Sequence, residues 1–288
     1  MKRFWITLST AALLLSSCAS AAPTTASATD VPAPAPTVIP SEVPTIAPSP
    51  IAEPVKLTVF AAASLTNAFG EIGKAFEAAN PGVTVKFNFG GSQTLRTQVE
   101  QGAPGDIFVS ANAKEMDALV KSGFVATNSA KIFLTNQLVV IMPKNNPARL
   151  VELKDLEKPG LKLVLAAKEV PVGNYALQVL DKLDTALGLG FKTKVLANVV
   201  SYENDVKQVV SKIQLGEADA GIVYLSDTVA APDLKKIEIP TVNNVVVKYP
   251  LAALTQTKSP DVAQAFIDYV LSPEGLTILQ KWGFLPVK

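Results

Sequence analysis

The chain has 288 residues, no histidine and one cysteine, which excludes a serine or cysteine nucleophile served by a histidine base and a zinc site of imidazoles and thiolates. With 26 basic and 25 acidic residues, the net charge of +1 gives no field that would attract nucleic acid, so no such partner is expected. Hydrophobic residues make up 48% and charged residues 18%, which predicts a globular protein, with two lobes expected.

Residues 1–17 are predicted to be a signal peptide, because a basic start at Lys2 and Arg3 precedes an apolar stretch of about a dozen residues. That stretch is shorter than the roughly 20 residues of a membrane-spanning helix. The segment LSSC (15–18) resembles a bacterial lipobox, which predicts that Cys18 is lipidated and becomes the mature N-terminus. The alternative is an ordinary signal peptide with an incidental cysteine. The lipobox is favoured because the only cysteine lies where it would be modified.

Residues 18–54 are predicted to form a tether that starts at the lipidated cysteine. Between 19 and 54 the chain has no aromatic and no basic residue, and it holds nine of the 21 prolines (Pro23, Pro32, Pro34, Pro36, Pro40, Pro44, Pro48, Pro50, Pro54). This composition excludes a packed core and favours an extended polyproline-like chain. At about 3.1 Å per residue, such a tether would reach on the order of 110 Å.

From residue 55 onward, short apolar runs alternate with helical periods. KLTVFAA (56–62) predicts a strand, and the spacing of Leu65, Phe69, Ile72 and Phe76 predicts a helix after it. Further strands are predicted at 83–89, 106–111, 137–143, 161–166, 220–225 and 251–256, and further helices at 92–102, 113–123, 175–187, 205–215, 260–271 and 273–281. This alternation is typical of an α/β fold with a largely parallel sheet.

Three strand-to-helix junctions consist of small and polar residues: AAAS ending at Ser64, GGS ending at Ser92, and SAN at 110–112. Ser64 and Ser92 are predicted helix N-caps. In α/β folds ligands bind beside the carboxyl ends of strands, where the free N–H groups and dipoles of helix N-termini favour an anion. One such serine is explained equally well by capping without a ligand. Three junctions in series favour a shared oxyanion pocket of hydroxyls and dipoles without a counter-charge.

Four segments, VFAAASLTNAF, GGSQTLRTQVEQGAPGDIFVSAN, VPVGNYA and GEADAGIVYLSD, resemble in order and spacing the periplasmic molybdate-binding proteins of ABC transporters. The resemblance covers about residues 56–288. It implies a type II periplasmic binding protein: an α/β fold of two lobes, each a mainly parallel sheet flanked by helices, with the ligand in the cleft. It also implies a first lobe of 55–136 and 247–288 and a second lobe of 137–246.

The same resemblance implies six ligand-binding residues, which would hold molybdate as an oxyanion without direct ligation of its metal. Two serines would donate through hydroxyl and backbone, three residues through backbone N–H, and one through a phenol: Ser64 and Ser92; Ala111, Val172 and Val206; and Tyr224. From the residues alone, Val172 and Val206 are more simply core valines, and Tyr224 is equally a packing aromatic. The sequence departs from the family where Gly91 and Gln93 flank Ser92 and where Val172 replaces a common alanine.

The sequence therefore predicts a monomeric, lipid-anchored receptor in the periplasm or on the outer face of the cell membrane. It would bind molybdate or tungstate, deliver it to an ABC permease, use no cofactor and catalyse no reaction. Three alternatives stay open: a sulfate or other oxyanion receptor on the same fold, a hydrolase of small anionic substrates, and a surface lipoprotein without a transport role. The absence of histidine, of an obvious carboxylate pair and of a P-loop argues against the hydrolase.

Overall fold

The computed structural model describes residues 54–287, and within them the chain forms ten strands and nine α-helices. The predicted signal peptide, the predicted lipidation of Cys18 and the tether up to residue 53 lie outside the described residues. The strands are β1 (Val55–Ala62), β2 (Val83–Gly90), β3 (Ile107–Val109), β4 (Lys131–Asn136), β5 (Leu138–Met142), β6 (Leu163–Ala166), β7 (Val199–Glu203), β8 (Ala220–Tyr224), β9 (Lys235–Glu238) and β10 (Val247–Ala253). The helices are α1 (Thr66–Ala79), α2 (Ser92–Glu100), α3 (Ala113–Lys121), α4 (Pro171–Leu187), α5 (Phe191–Ala197), α6 (Val206–Gln214), α7 (Leu225–Ala230), α8 (Pro260–Leu271) and α9 (Pro273–Lys281).

The strands form two five-stranded sheets, in the orders β2-β1-β3-β10-β4 and β7-β6-β8-β5-β9. We call the first sheet with its helices the first lobe and the second sheet with its helices the second lobe. The chain crosses from the first to the second between Asn136 and Leu138 and returns before Val247. The predicted two-lobed α/β fold is confirmed. The limits of the lobes stay a prediction, because membership of a sheet does not define where a rigid unit ends.

Both sheets are more mixed than the mainly parallel arrangement expected from the sequence. In the first, β1 pairs in parallel with β2 and β3, whereas β10 pairs antiparallel with β3 and β4. In the second, β6 is parallel to β7 and β8, whereas β5 is antiparallel to β8 and β9. The strands next to the two crossings, β4, β5 and β10, supply the antiparallel pairs. The parallel strands carry the α/β pattern that the sequence predicted.

The register of the parallel strands brings their carboxyl ends to one edge of each sheet. Ala62 pairs with Gly90 at the ends of β1 and β2, and Ala61 pairs with Val109 at the end of β3. The helices that follow these strands therefore begin close together. In the second lobe, the ends of β6 and β7 are aligned in the same way by the pair Ala166 and Glu203.

Aromatic packing fixes α1 against the first sheet. The ring of Phe69 lies 6.1 Å from Phe133 and 6.2 Å from Phe266, and Phe76 lies 5.1 Å from Phe266 in an edge-to-face arrangement. Each buried phenylalanine contributes about 1.5–3 kcal/mol relative to exposure. A Cβ atom at Gly73 would lie 2.6 Å from the nearest carbon of the Phe87 ring. Glycine at this position therefore lets the ring pack directly against α1. The start of α1 is thereby held at the edge of the sheet.

Several elements differ from the sequence prediction. Helix α4 begins at Pro171 and not near residue 175, because proline at the first helical position needs no hydrogen-bond acceptor for its nitrogen. The sequence did not predict β4, β7, β9, α5 or α7, which are short.

None of the helices in the described part of the chain has the length and apolar character needed to cross a membrane.

Candidate functional site

A small cavity of about 10 Å³ lies between the two lobes, where the carboxyl ends of β1, β2 and β8 and the beginnings of α2, α4 and α6 meet. All six residues predicted from the sequence line it: Ser64, Ser92, Ala111, Val172, Val206 and Tyr224. The remaining lining residues are Ala62, Ala63, Gly90, Gly91, Val170, Pro171 and Asp205. The cavity is small and narrow, so it suits only a compact ligand.

Ser64 lies in a 3-10 turn (Ala63–Leu65) between β1 and α1, so the prediction that it caps α1 is wrong. The N-cap position belongs to Leu65, because the extra turn moves the helix start downstream. The hydroxyl of Thr66 donates to the backbone oxygen of Ala63 at 2.7 Å and closes this turn. The Ser64 hydroxyl is instead buried and lies 3.0 Å from the hydroxyl of Tyr249.

Ser92 is the first residue of α2 and not its N-cap, which also corrects the sequence prediction. Gly91 takes the cap position, and its backbone oxygen accepts from the N–H groups of Thr94 at 2.9 Å and Leu95 at 3.0 Å. The hydroxyl oxygen of Ser92 accepts from the backbone N–H of Ala111 at 3.0 Å. This bond ties the second strand-to-helix junction to the third.

The third junction is built around a capping asparagine. The side chain of Asn112 accepts from the backbone N–H of Glu115 at 3.0 Å and caps α3. The hydroxyl of Ser110 in turn accepts from the backbone N–H of Asn112 at 3.1 Å. These bonds fix the backbone at Ala111, whose N–H faces Ser92. A ligand that accepted from Ala111 would have to share this N–H with Ser92 or replace it.

The second lobe supplies two helix N-termini. Val172 is the second residue of α4 and Val206 is the first residue of α6, so the N–H of neither residue has an acceptor within its own helix. Their side chains are only 1% and 3% exposed, as expected for core valines. The core interpretation and the donor interpretation are compatible, because they concern the side chain and the backbone respectively.

Tyr224 ends β8 with its side chain 1% exposed. Among the described residues its hydroxyl has no hydrogen-bond partner, and an unpaired buried polar group costs about 1–3 kcal/mol. Burial raises the pKa of Tyr224 well above its ordinary value, so the phenol keeps its proton and can donate. A ligand in the cavity that accepts this proton would remove the cost.

Next to Val206 and Tyr224, an ion pair with a buried carboxylate holds the start of α7. The carboxylate of Asp227 accepts from the ammonium of Lys207 at 3.0 Å and from the backbone N–H of Tyr224 at 3.1 Å. Burial raises the pKa of Asp227, and Lys207 opposes that rise. The charge of Lys207, which follows Val206 in the chain, is thus paired with a carboxylate.

Sequence reasoning missed Asp205, which lines the cavity, and Tyr249, which contacts the lining residue Ser64. Asp205 lines the cavity, but its carboxylate oxygens accept from the backbone N–H of Gln208 at 3.0 Å and from its side-chain amide at 2.9 Å. An aspartate directly before a helical period is an N-cap signal that could have identified it. Tyr249 gave no local signal, because it meets Ser64 from 185 residues away.

Within residues 54–287, no group of three or more histidine, cysteine or acidic residues is placed to hold a metal ion.

Comparisons with known proteins agree with this architecture. A family model described as a bacterial extracellular solute-binding protein matches residues 57–285. The molybdate-binding protein ModA of Mycobacterium tuberculosis is 38% identical over 229 residues, which are 79% of this chain and 84% of that protein. The molybdate-binding protein ModA of Escherichia coli is 34% identical over 241 residues, 81% and 90% of the two chains. The periplasmic molybdate-binding protein of Azotobacter vinelandii has the same fold, with a TM-score of 0.71, 22% identity and coverage of 81% and 100%.

Proposed function

This chain belongs to the family of bacterial extracellular solute-binding proteins, and we propose that it binds molybdate or tungstate and delivers it to the permease of an ABC importer. The observation that carries the proposal is the donor set of the cavity. Three helices of nine or more residues, α2, α4 and α6, begin at its wall, and three of its lining residues carry a hydroxyl, Ser64, Ser92 and Tyr224. Two molybdate-binding relatives of 38% and 34% identity support the choice of ion.

A tetrahedral dianion matches donors of this kind. Molybdate, tungstate and sulfate are fully deprotonated near neutral pH, so they accept hydrogen bonds and donate none. The N–H groups of the first helical turns, which have no acceptor within their helices, and the positive ends of helix dipoles favour negative charge at the wall of the cavity. Hydrogenphosphate would need an acceptor for its proton, and the one lining carboxylate, Asp205, is already bonded to Gln208.

The magnitudes allow tight binding. Hydrogen bonds to charged groups contribute roughly 1.5–3 kcal/mol each, so six or seven donors give a gross total of about 9–20 kcal/mol. Ordering of the ligand and closure of the lobes subtract from this total. A net value beyond about −8 kcal/mol corresponds to sub-micromolar affinity.

Entry of the ion requires movement of the lobes. A Cβ atom at Gly91 in the first lobe would lie 2.5 Å from the backbone oxygen of Asn204 in the second, so the lobes meet beside the cavity. Because the cavity is small and lies between them, the ion enters an open form, and the two sets of donors come together on closure. The permease would then recognise the closed form.

The same proposal includes the anchor and the assembly state. Lipidation of Cys18 would hold the receptor at the membrane, and the proline-rich tether would let it reach the permease. The receptor would act as a monomer, in the periplasm or on the outer face of a single membrane. It would have no catalytic role and no cofactor.

Isothermal titration of the purified full chain with molybdate, tungstate, sulfate and phosphate tests the proposal. We expect one-to-one binding of molybdate or tungstate with sub-micromolar affinity and no response to phosphate. Sulfate that displaced molybdate at comparable concentration would make the chain a general oxyanion receptor and contradict the proposed selectivity. An absence of heat with all four ions, or turnover of generic phosphate or sulfate esters, would contradict the proposal as a whole.

A further inference from the structure

Tyr249 connects the core to the wall of the cavity. It lies on β10 with its side chain fully buried, and its hydroxyl is 3.0 Å from that of Ser64, which lines the cavity. Its ring packs edge-to-face on Phe284 at 5.6 Å and on Tyr224 at 6.0 Å. These contacts leave the phenol little freedom to turn away from Ser64.

The direction of the bond between Tyr249 and Ser64 follows from counting protons. Each hydroxyl has one proton, so either oxygen is able to donate when the cavity holds no anion. A fully deprotonated anion offers only acceptors. If Ser64 donates its proton to the anion, its lone pair must accept the proton of Tyr249. Burial raises the pKa of Tyr249, so the phenol holds that proton throughout the neutral range.

We propose that Tyr249 is a positioning residue: it donates to Ser64 and so directs the Ser64 hydroxyl into the cavity as a donor to the oxyanion. This inference rests on the proposed function. Without Tyr249 the hydroxyl of Ser64 can rotate, and it loses the strengthening that a chain of hydrogen bonds gives to its terminal donor. Tyr249 also contacts the ring of Tyr224, so it touches one hydroxyl donor from each lobe.

A double-mutant cycle on the full chain tests this role. Affinity for molybdate is measured by titration in the wild type, Tyr249→Phe, Ser64→Ala and the double variant, with the ligand-free melting temperature of each. We expect Tyr249→Phe to weaken binding about 3- to 10-fold, the range of one net hydrogen bond. In the Ser64→Ala background, the same change should alter affinity less than about twofold. Tyr269→Phe, a partly buried tyrosine in the same lobe that packs on Phe76 at 5.7 Å, is the matched control and should bind as the wild type does.

The outcomes separate the positioning role from general packing and from the proposed function. Unchanged affinity in Tyr249→Phe, while the wild type binds molybdate, overturns the positioning role alone. An equal loss in both backgrounds also overturns it, because a packing defect acts whether or not Ser64 has a hydroxyl. If the wild type binds neither molybdate nor tungstate, the proposed function is overturned, and the inference with it. A lowered melting temperature with affinity unchanged would show that Tyr249 is purely structural.

Discussion

The side-chain amide of Gln93 lies 3.3 Å from the backbone oxygen of Asn204, so a residue of the first lobe donates across the cleft to a residue of the second. Gly91, two residues earlier, approaches the same oxygen so closely that a Cβ atom would lie 2.5 Å from it. The two contacts define one point at which the lobes meet, directly beside the cavity. The site is thus complete only when this point is closed.

Substitution of Gly91 should therefore prevent closure. The backbone of Gly91 has φ −62° and ψ 132°, which any residue adopts, so the cost of Gly91→Ala lies in the clash with Asn204 and not in backbone strain. We expect molybdate affinity to fall at least tenfold while the ligand-free melting temperature stays within a few degrees. Gly70→Ala is the control, because a Cβ there meets no atom within 4 Å. Wild-type affinity in Gly91→Ala would show that the lobes need not approach this closely.

Tyr224→Phe should have opposite effects on stability and on binding. Removal of a buried hydroxyl that lacks a partner among the described residues should leave the ligand-free protein as stable as the wild type, or more stable by about 1 kcal/mol. Removal of a donor to the anion should weaken molybdate binding at least about tenfold. Thermal melting and titration measure the two effects. Tyr202→Phe, at a tyrosine with 55% exposure, should change neither. A destabilised Tyr224→Phe with normal affinity would contradict the donor role.

Ser92→Ala should weaken binding at least tenfold. The hydroxyl of Ser92 is both a predicted donor to the ion and the acceptor for the N–H of Ala111, so its loss also leaves that N–H without its partner in the ligand-free protein. Titration with molybdate measures the effect. Ser122→Ala is the matched control, because the exposed hydroxyl of Ser122 donates only to the backbone oxygen of Ala118. An affinity equal to that of the wild type would remove Ser92 from the site.

The ion pair between Lys207 and the buried Asp227 predicts a pH-dependent defect in Lys207→Met. Without Lys207, the Asp227 carboxylate stays buried without its cation, and its already raised pKa should rise further. A carboxyl whose folded-state pKa exceeds its unfolded value binds more protons when folded, so stability is gained as the pH falls through the folded-state pKa. Because Lys207 is 27% exposed, we expect a loss of about 2–3 kcal/mol at pH 7, below the usual range for a buried pair, and a smaller loss at pH 5.

Urea unfolding at the two pH values measures this change in the free energy of unfolding. Lys236→Met breaks a pair in which Glu238 is 76% exposed and should change stability little at either pH. The double variant Lys207→Met/Asp227→Asn should lose the pH dependence. A defect of Lys207→Met that did not shrink at pH 5 would assign it to lost packing of the lysine stem.

The sequence predicted the positions of the strand-to-helix junctions better than the roles of their serines. The change from a strand period to a helical period, with small residues between, located the junctions at Ser64 and Ser92. The capping roles failed because a 3-10 turn displaced Ser64 and because Gly91 satisfied the cap through its backbone. Both depend on backbone dihedrals within one turn, which residue types do not determine.

One misplaced helix start and one contact between distant parts of the chain account for the rest of what was not predicted. The N–H of Val172 has no acceptor within α4 because that helix begins at Pro171, four residues before the predicted start. A proline followed by a helical period is a known start signal and could have corrected this boundary. Tyr249 reads as one more residue of an apolar strand, and only the packing of β10 beside β3 brings it to Ser64.

The small size of the cavity makes the hydration of the ion in solution part of its selection. A cavity this small, between lobes that touch beside it, leaves no room for a layer of water around an ion, so an ion that enters must exchange its water for the donor groups of the wall. A smaller ion of the same charge holds its water more firmly, which places sulfate at a disadvantage before it makes any contact. The receptor would therefore select its ion partly by how readily water releases it.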